Sequence, residues 1–264
     1  MCAHPSAVDP QVARRWAGYS PAMTELETED VVIALAVGRD RLSRFLMSYK
    51  FAIQEIETKL SILRQEFQQV HRYNPIEHVS SRLKDPQQMI AKARRRGCGP
   101  DEESIRENIS DIAGVRVVCS FISDAYRLQQ MLCAQDDVEL LTLKDYIKNP
   151  KPSGYRSLHA IVTVPVFLSD RRIVVPVEIQ FRTIAQDFWA SLEHKIFYKY
   201  DKHVPGQLNS ELIQAAETAA ELDTKMERLA QELQPQFAES PTPVSEESVR
   251  TFLRFIGGNG AGPG

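Results

Sequence analysis

The 264-residue sequence contains no Gly-x-x-x-x-Gly-Lys-Ser/Thr loop and no Gly-x-Gly-x-x-Gly run behind a strand. That excludes the P-loop and dinucleotide-fold ways of cradling phosphate. Cysteine is scarce: Cys2, Cys98, Cys119 and Cys133 form no Cys-x-x-Cys pair, and no His/Cys grouping has zinc spacing. They read as free thiols in a reducing compartment. No apolar run is long enough to span a bilayer. The first ten residues lack a basic start followed by an apolar core, so no signal peptide is expected and the expected location is cytoplasmic. The net charge of −3 gives no excess of positive charge for bulk electrostatic binding of nucleic acid.

What remains is an ordinary globular composition with several patterned segments. Residues 1 to 28 show little periodicity and are expected to be a poorly ordered leader. From Leu42 onward, Leu46, Tyr49, Ile53, Ile56, Leu60, Leu63, Phe67 and Val70 recur in steps of three and four. This predicts one long helix with a continuous apolar stripe, ending near Asn74-Pro75. The stripe packs either on the domain's own sheet or on a helix from another subunit. Asp85-Pro86 opens a short basic helix that Gly97, Gly99 and Pro100 end.

Four strands are predicted, over 115–121, 138–143, 158–164 and 175–181. A helix near 124–134 separates the first two, and the last two form a hairpin through Ser169-Asp170. Helices are predicted over 183–200 and 210–233. The working domain is 29–234, and 235–264 is expected to be a flexible Pro/Gly-rich tail.

Chemistry concentrates on the last strand. Period-2 geometry puts Glu178, Gln180 and Arg182 on one face and apolar residues on the other. A sheet with one solvated face produces the same pattern without any site. The first strand offers Arg116, just after Asp111, and the third offers His159. If these faces coincide, Asp111 and Glu178 suit Mg²⁺, which takes one or two carboxylates plus substrate phosphates. Phosphoryl-type transfer needs that metal, cationic clamps and a base for the attacking hydroxyl. The basic segments 82–96 and 144–156 can supply clamps, although each alone is more often a solvated face. The turn Lys151–His159 carries Tyr155 at its tip, as a plain hairpin aromatic or as a platform for a base.

Lys-Pro-Ser-Gly-Tyr-Arg-Ser-Leu-His at 151–159 resembles the guanine-nucleotide loop of Rel-type alarmone synthetases. The resemblance extends to the segments 75–84, 111–116, 177–183 and 188–195, and takes in roughly residues 42–233. The sequence has no His-Asp dipeptide, the metal-binding mark of the hydrolase half of the large Rel enzymes. Its length leaves no room for that half or the regulatory tail. It therefore resembles the small, synthetase-only branch.

The resemblance implies an α+β fold: a mixed β-sheet flanked by helices, nucleotidyltransferase-like, with long helices at both ends. It implies transfer of pyrophosphate from ATP to the ribose 3′-hydroxyl of GDP or GTP, in stringent-response signalling. By position, Asp111 and Glu178 would hold Mg²⁺, and Glu178 would act on the hydroxyl. Arg82 and Arg116 would sandwich adenine; Lys84, Lys92 and Arg95 would meet the ATP phosphates, with Glu193 near the ATP site. Tyr155 would stack on guanine. Lys144, Lys151, His159 and Gln180 would hold the acceptor, with Asp187 at the guanine edge. A homotetramer is implied too. The activating alarmone cleft of some tetrameric members uses an aromatic where this chain has His78 and a basic residue near its Ser61, so that site is not expected. Two other readings compete: a toxic relative that modifies the 3′ end of tRNA, and a non-catalytic oligomer that binds nucleotides or RNA.

Overall fold

The computed structural model describes residues 21–70, 73–99, 101–199, 205–237 and 245–257. The chain divides into two units, 1–47 and 48–264. The described part of the first unit is the opening stretch of α1 (Pro21–Val70), which starts well before the regular stripe. Most of the expected leader, residues 1–20, lies outside the described residues.

The second unit is built on one five-stranded sheet in the order β1-β2-β5-β4-β3. Its strands are β1 (Ile76–Leu83), β2 (Ala113–Cys119), β3 (Glu139–Asp145), β4 (Leu158–Phe167) and β5 (Arg172–Thr183). β2 and β5 run parallel and every other pair is antiparallel, so the sheet is mixed. The helices are α2 (Pro86–Arg96), α3 (Glu102–Asn108), α4 (Ile122–Cys133), α5 (Ile184–Lys199), α6 (Gly206–Phe237) and α7 (Glu246–Gly257). Among the described residues, no helix is long and apolar enough to cross a membrane.

Local chemistry sets these elements. Asp85 caps α2 by accepting the Gln87 and Gln88 amides at 2.9 and 3.1 Å, and Pro86 supplies the first helical φ. Gly97 ends the helix at φ 67°, a left-handed conformation that side chains resist. Three arginines, Arg94 to Arg96, crowd its last turn, where the helix dipole favours positive charge.

Alternation on β5 buries Val175, Val177, Ile179 and Phe181; on β2 it buries Val115 and Val117. The α1 stripe from Tyr49 to Phe67 is buried within this chain. Arg127 on α4 stacks over the Phe67 ring at 5.2 Å, and the Lys59 ammonium meets Asp137 at 2.6 Å. Intramolecular packing thus accounts for the stripe up to Phe67, while Val70 is exposed.

Three expectations change. β1 is a fifth strand, and α3 is an extra helix. Residues 246–257, expected within a flexible tail, form α7, whose Val249, Phe252, Leu253 and Phe255 are exposed.

Candidate active site

Strand register decides whether the sequence-predicted residues share a face, because residues paired across neighbouring strands project to the same side. One row crosses all five strands: Ser80, Arg116, Gln180, His159 and Lys144. The next row runs Arg82, Gly114, Glu178 and Ile161. A third holds His78, Val118 and Arg182. The faces coincide. A small cleft of about 70 Å³, lined by Ser80, Arg82, Gly114, Arg116 and Gln180, opens between the two rows.

Glu178 is the focus of the hydrogen bonds. Its Oε1 lies 3.2 Å from His159 Nδ1, and its Oε2 accepts from Gln180 Nε2 at 3.0 Å. Arg182 Nη2 donates to Gln180 Oε1 and to the Tyr155 hydroxyl, both at 2.8 Å. Tyr155 Oη lies 2.8 Å from His159 Nε2. Because Tyr155 accepts from Arg182, its own proton is free for Nε2, which leaves Nδ1 as the donor to Glu178. The ring of contacts closes with every donor directed toward the carboxylate. Burial pushes the Glu178 carboxyl up. The His159 and Gln180 contacts outweigh this and hold it below its usual value, against a small upward push from the Asp111 charge.

Asp111 precedes β2, and its Oδ2 meets Lys84 and Lys92 at 2.6 and 2.7 Å. Burial would raise this carboxyl, yet the two lysine hydrogen bonds bring it below its ordinary value. Its Oδ1 is buried without a hydrogen-bond partner, which leaves its lone pairs unfilled. These donors fit Mg²⁺, which prefers carboxylate oxygen and keeps positions for phosphate and water. Among the described residues, no group of three or more protein ligands forms a closed metal cage.

Other predicted residues fall on either side. Arg82 is exposed on β1, Arg95 is exposed on α2, and Lys144 is exposed on the edge strand β3. Lys151 sits 4.6 Å from the ring centres of both Tyr146 and Tyr155. Tyr155 is not on an exposed tip. It is half-buried against the Trp189, Ala190 and Ala216 cluster where α5 and α6 meet. Gly154 fixes that approach: its φ is 86°, and a Cβ there would stand 2.5 Å from Ala216 Cβ.

Two placements differ from expectation. Asp187 Oδ1 pairs with Arg116 at 3.1 Å and Arg182 at 3.0 Å, so it lies between the two groups of residues rather than only on the acceptor side. Glu193, expected near the ATP site, has Lys151 and Arg182, both neighbours of the Tyr155 ring, among the charges acting on its carboxyl; burial raises it and these charges partly offset that. Sequence reasoning left Tyr146 and Arg182 without a role. Arg182 had one signal, its alternation with Glu178 and Gln180; Tyr146 had none.

Comparisons with known proteins agree with this geometry. Residues 81–203 match a family model described as a region found in RelA / SpoT proteins. GTP pyrophosphokinase YwaC of Bacillus subtilis is 51% identical over 181 residues, taking in 69% of this chain and 86% of that protein. GTP pyrophosphokinase YjbM of the same organism is 37% identical over 191 residues, or 72% and 89% of the two. The crystal structure of small alarmone synthetase 2 from Bacillus subtilis superposes with a TM-score of 0.65 at 50% identity, covering 71% of this chain and 97% of that one. Small alarmone synthetase 1 bound to its product pppGpp gives 0.68 at 36% identity, over 74% and 98%. The chain therefore belongs to the small alarmone synthetases of the RelA/SpoT family.

Proposed function

We infer that the protein is a GTP pyrophosphokinase, a (p)ppGpp synthetase that moves pyrophosphate from ATP to the ribose 3′-hydroxyl of GDP or GTP and releases AMP. Its relatives carry that activity in their names, and solved neighbours hold pppGpp or the ATP analogue AMPCPP. The observation that carries the reading is Glu178: a carboxylate held below its usual value by hydrogen bonds from His159 and Gln180, on a sheet face that it shares with Arg82 and Arg116.

A ribose hydroxyl is a poor nucleophile at neutral pH, so a positioned base must remove its proton. Glu178 takes that proton as the 3′-oxygen bonds to the β-phosphorus. The bond from that phosphorus to the bridging oxygen breaks, and AMP leaves with the electron pair. Arg82 and Arg116 flank the small cleft and would hold adenine by cation–π contact. Lys84, Lys92 and Arg95 would meet the donor phosphates. Tyr155 would stack on guanine, with Lys144, Lys151, His159, Gln180 and Asp187 around the acceptor. Mg²⁺ held by Asp111 and Glu178 would neutralise phosphate charge and orient the transferred group. Positioning and charge neutralisation supply most of the rate.

An apolar cavity of about 1040 Å³ between α5 and α6, with Phe188, Leu222 and Met226 exposed, supports a homo-oligomer of this chain, a tetramer in the family pattern. We place the enzyme in the cytoplasm, where its nucleotides are.

The test is turnover of labelled ATP with GDP, GTP, GMP or deacylated tRNA, with and without Mg²⁺. Label moves to GDP or GTP only with Mg²⁺, and Glu178→Gln lowers turnover about 10²–10⁴-fold with an unchanged circular dichroism spectrum. Label on tRNA alone, or full activity of the variant, overturns the reading.

A further inference from the structure

Arg116, which the functional reading gives to the donor, and Arg182, which braces Tyr155 of the proposed acceptor subsite, share one carboxylate oxygen. Asp187 Oδ1 accepts from Arg182 Nη1 at 3.0 Å and forms an ion pair with Arg116 Nη1 at 3.1 Å. Arg116 belongs to the donor side. Arg182 serves the acceptor side: its Nη2 holds Tyr155 Oη and Gln180 Oε1, and its guanidinium carbon lies 5.3 Å from the centre of the Tyr155 ring. The three side chains differ in freedom. Arg182 is 7% exposed and Asp187 15%, while Arg116 is 34% exposed and lines the open cleft. The two guanidiniums also repel, and the Asp187 charge between them offsets that repulsion.

From this geometry we propose that Asp187 and Arg182 are positioning residues that couple the donor subsite to the acceptor subsite. The proposal rests on the assignment of Arg116 to the donor and Tyr155 to the acceptor. When a donor nucleotide draws Arg116 onto its base, Asp187 Oδ1 loses one of its two partners, while His78 Nε2 stays 4.0 Å from Oδ2. Oδ1 then serves Arg182 alone and holds its Nη1 without competition from Arg116, while Nη2 stays on Tyr155 and Gln180. A guanidinium is planar and rigid, so fixing one nitrogen orients the other. The acceptor platform is therefore better ordered with donor bound than without it. Binding energies are reciprocal, so acceptor must strengthen donor by the same factor.

Lysine at 182 keeps the charge but offers a single nitrogen, which cannot reach Asp187 and Tyr155 in the same fork. Asparagine at 187 keeps the shape but loses the charge that holds two arginines. Both variants therefore break the link without removing either nucleotide's own phosphate contacts.

The experiment is calorimetric titration of the full chain with GDP, alone and with saturating AMPCPP, whose methylene bridge blocks transfer. It is repeated in reverse, with AMPCPP titrated in the presence and absence of GDP. In the wild type, AMPCPP tightens GDP about 5–10-fold, and GDP tightens AMPCPP equally. In Asp187→Asn and Arg182→Lys the factor falls toward one, whatever happens to either affinity alone. A purely structural role for these residues would weaken binding or lower the melting temperature while leaving the factor unchanged. That result overturns the link, as does a wild-type factor of one. A wild type that binds neither nucleotide removes the functional reading, and the link with it.

Discussion

The two halves of the site are built differently. On the side proposed for the acceptor, Tyr155, His159, Glu178, Gln180 and Arg182 close a continuous ring of hydrogen bonds, and the turn that carries Tyr155 is wedged against α6. On the side proposed for the donor, Arg82 and Arg95 stand exposed, and the two better-anchored lysines both lean on Asp111. The acceptor half is ordered by the protein's own contacts. The donor half is a set of charges that a polyphosphate must gather. A preorganised pocket loses affinity when its packing is disturbed, whereas a charge cluster loses it when the charges are removed or screened.

The largest way to break this contrast is Gly154→Ala. The added methyl meets Ala216 and the residue is forced into a left-handed conformation, together costing about 1–3 kcal/mol. The expected outcome is an acceptor KM raised about 10-fold or more and a lowered melting temperature, with the ATP KM little changed. Equal effects on both substrates would dissolve the distinction. Arg82→Ala probes the other half. It should raise the ATP KM about 3–30-fold, the worth of one cation–π contact, without moving the melting temperature. Salt sharpens the comparison further. At about 1 M, where the screening length falls to about 3 Å, the ATP KM should rise more than the acceptor KM.

The smallest effect lies beneath the acceptor half. Asp223 is buried and accepts from Thr183 Oγ1 at 2.7 Å. Burial raises its carboxyl above the ordinary 3.8, against the pull of Thr183 and Gln186. A raised folded value means stability is fully present below 3.8 and declines as pH rises through the folded value. Asp223→Asn keeps an oxygen for Thr183 and removes the buried charge. A modest gain in melting temperature at neutral pH is expected, shrinking as pH falls toward 3.8. Thermal scans at several pH values check it, and a loss at neutral pH would mean the charge is needed.

Legibility followed the physics of pattern. β2, β4 and β5 were readable because alternation buries one full face of each. β1 was not, because it is an edge strand on which Ile76 alone is buried and the serines carry no period. α3 is short and has no buried residue, so it had no stripe to find. The run 138–143 reads as a strand, yet Leu140, Leu141 and Leu143 are exposed: apolar character does not say which edge a strand occupies. Glu178, Gln180 and Arg182 could be read as one face from a single strand. That Arg116, His159 and Lys144 join them depends on register between strands whose paired residues lie up to 64 positions apart, which no local signal carries. The Asp187 bridge was invisible for the same reason.

The wedge of Gly154 against Ala216 reaches past the sheet. The segment that matches the family model stops at 203, and α6 begins at Gly206. A fragment trimmed to that segment would keep β2 to β5, both acids and the cations from Arg82 onward, but only the end of β1, and the proposed guanine loop would have lost the wall it leans on. The proposed site is thus bounded by a helix for which no substrate contact is proposed.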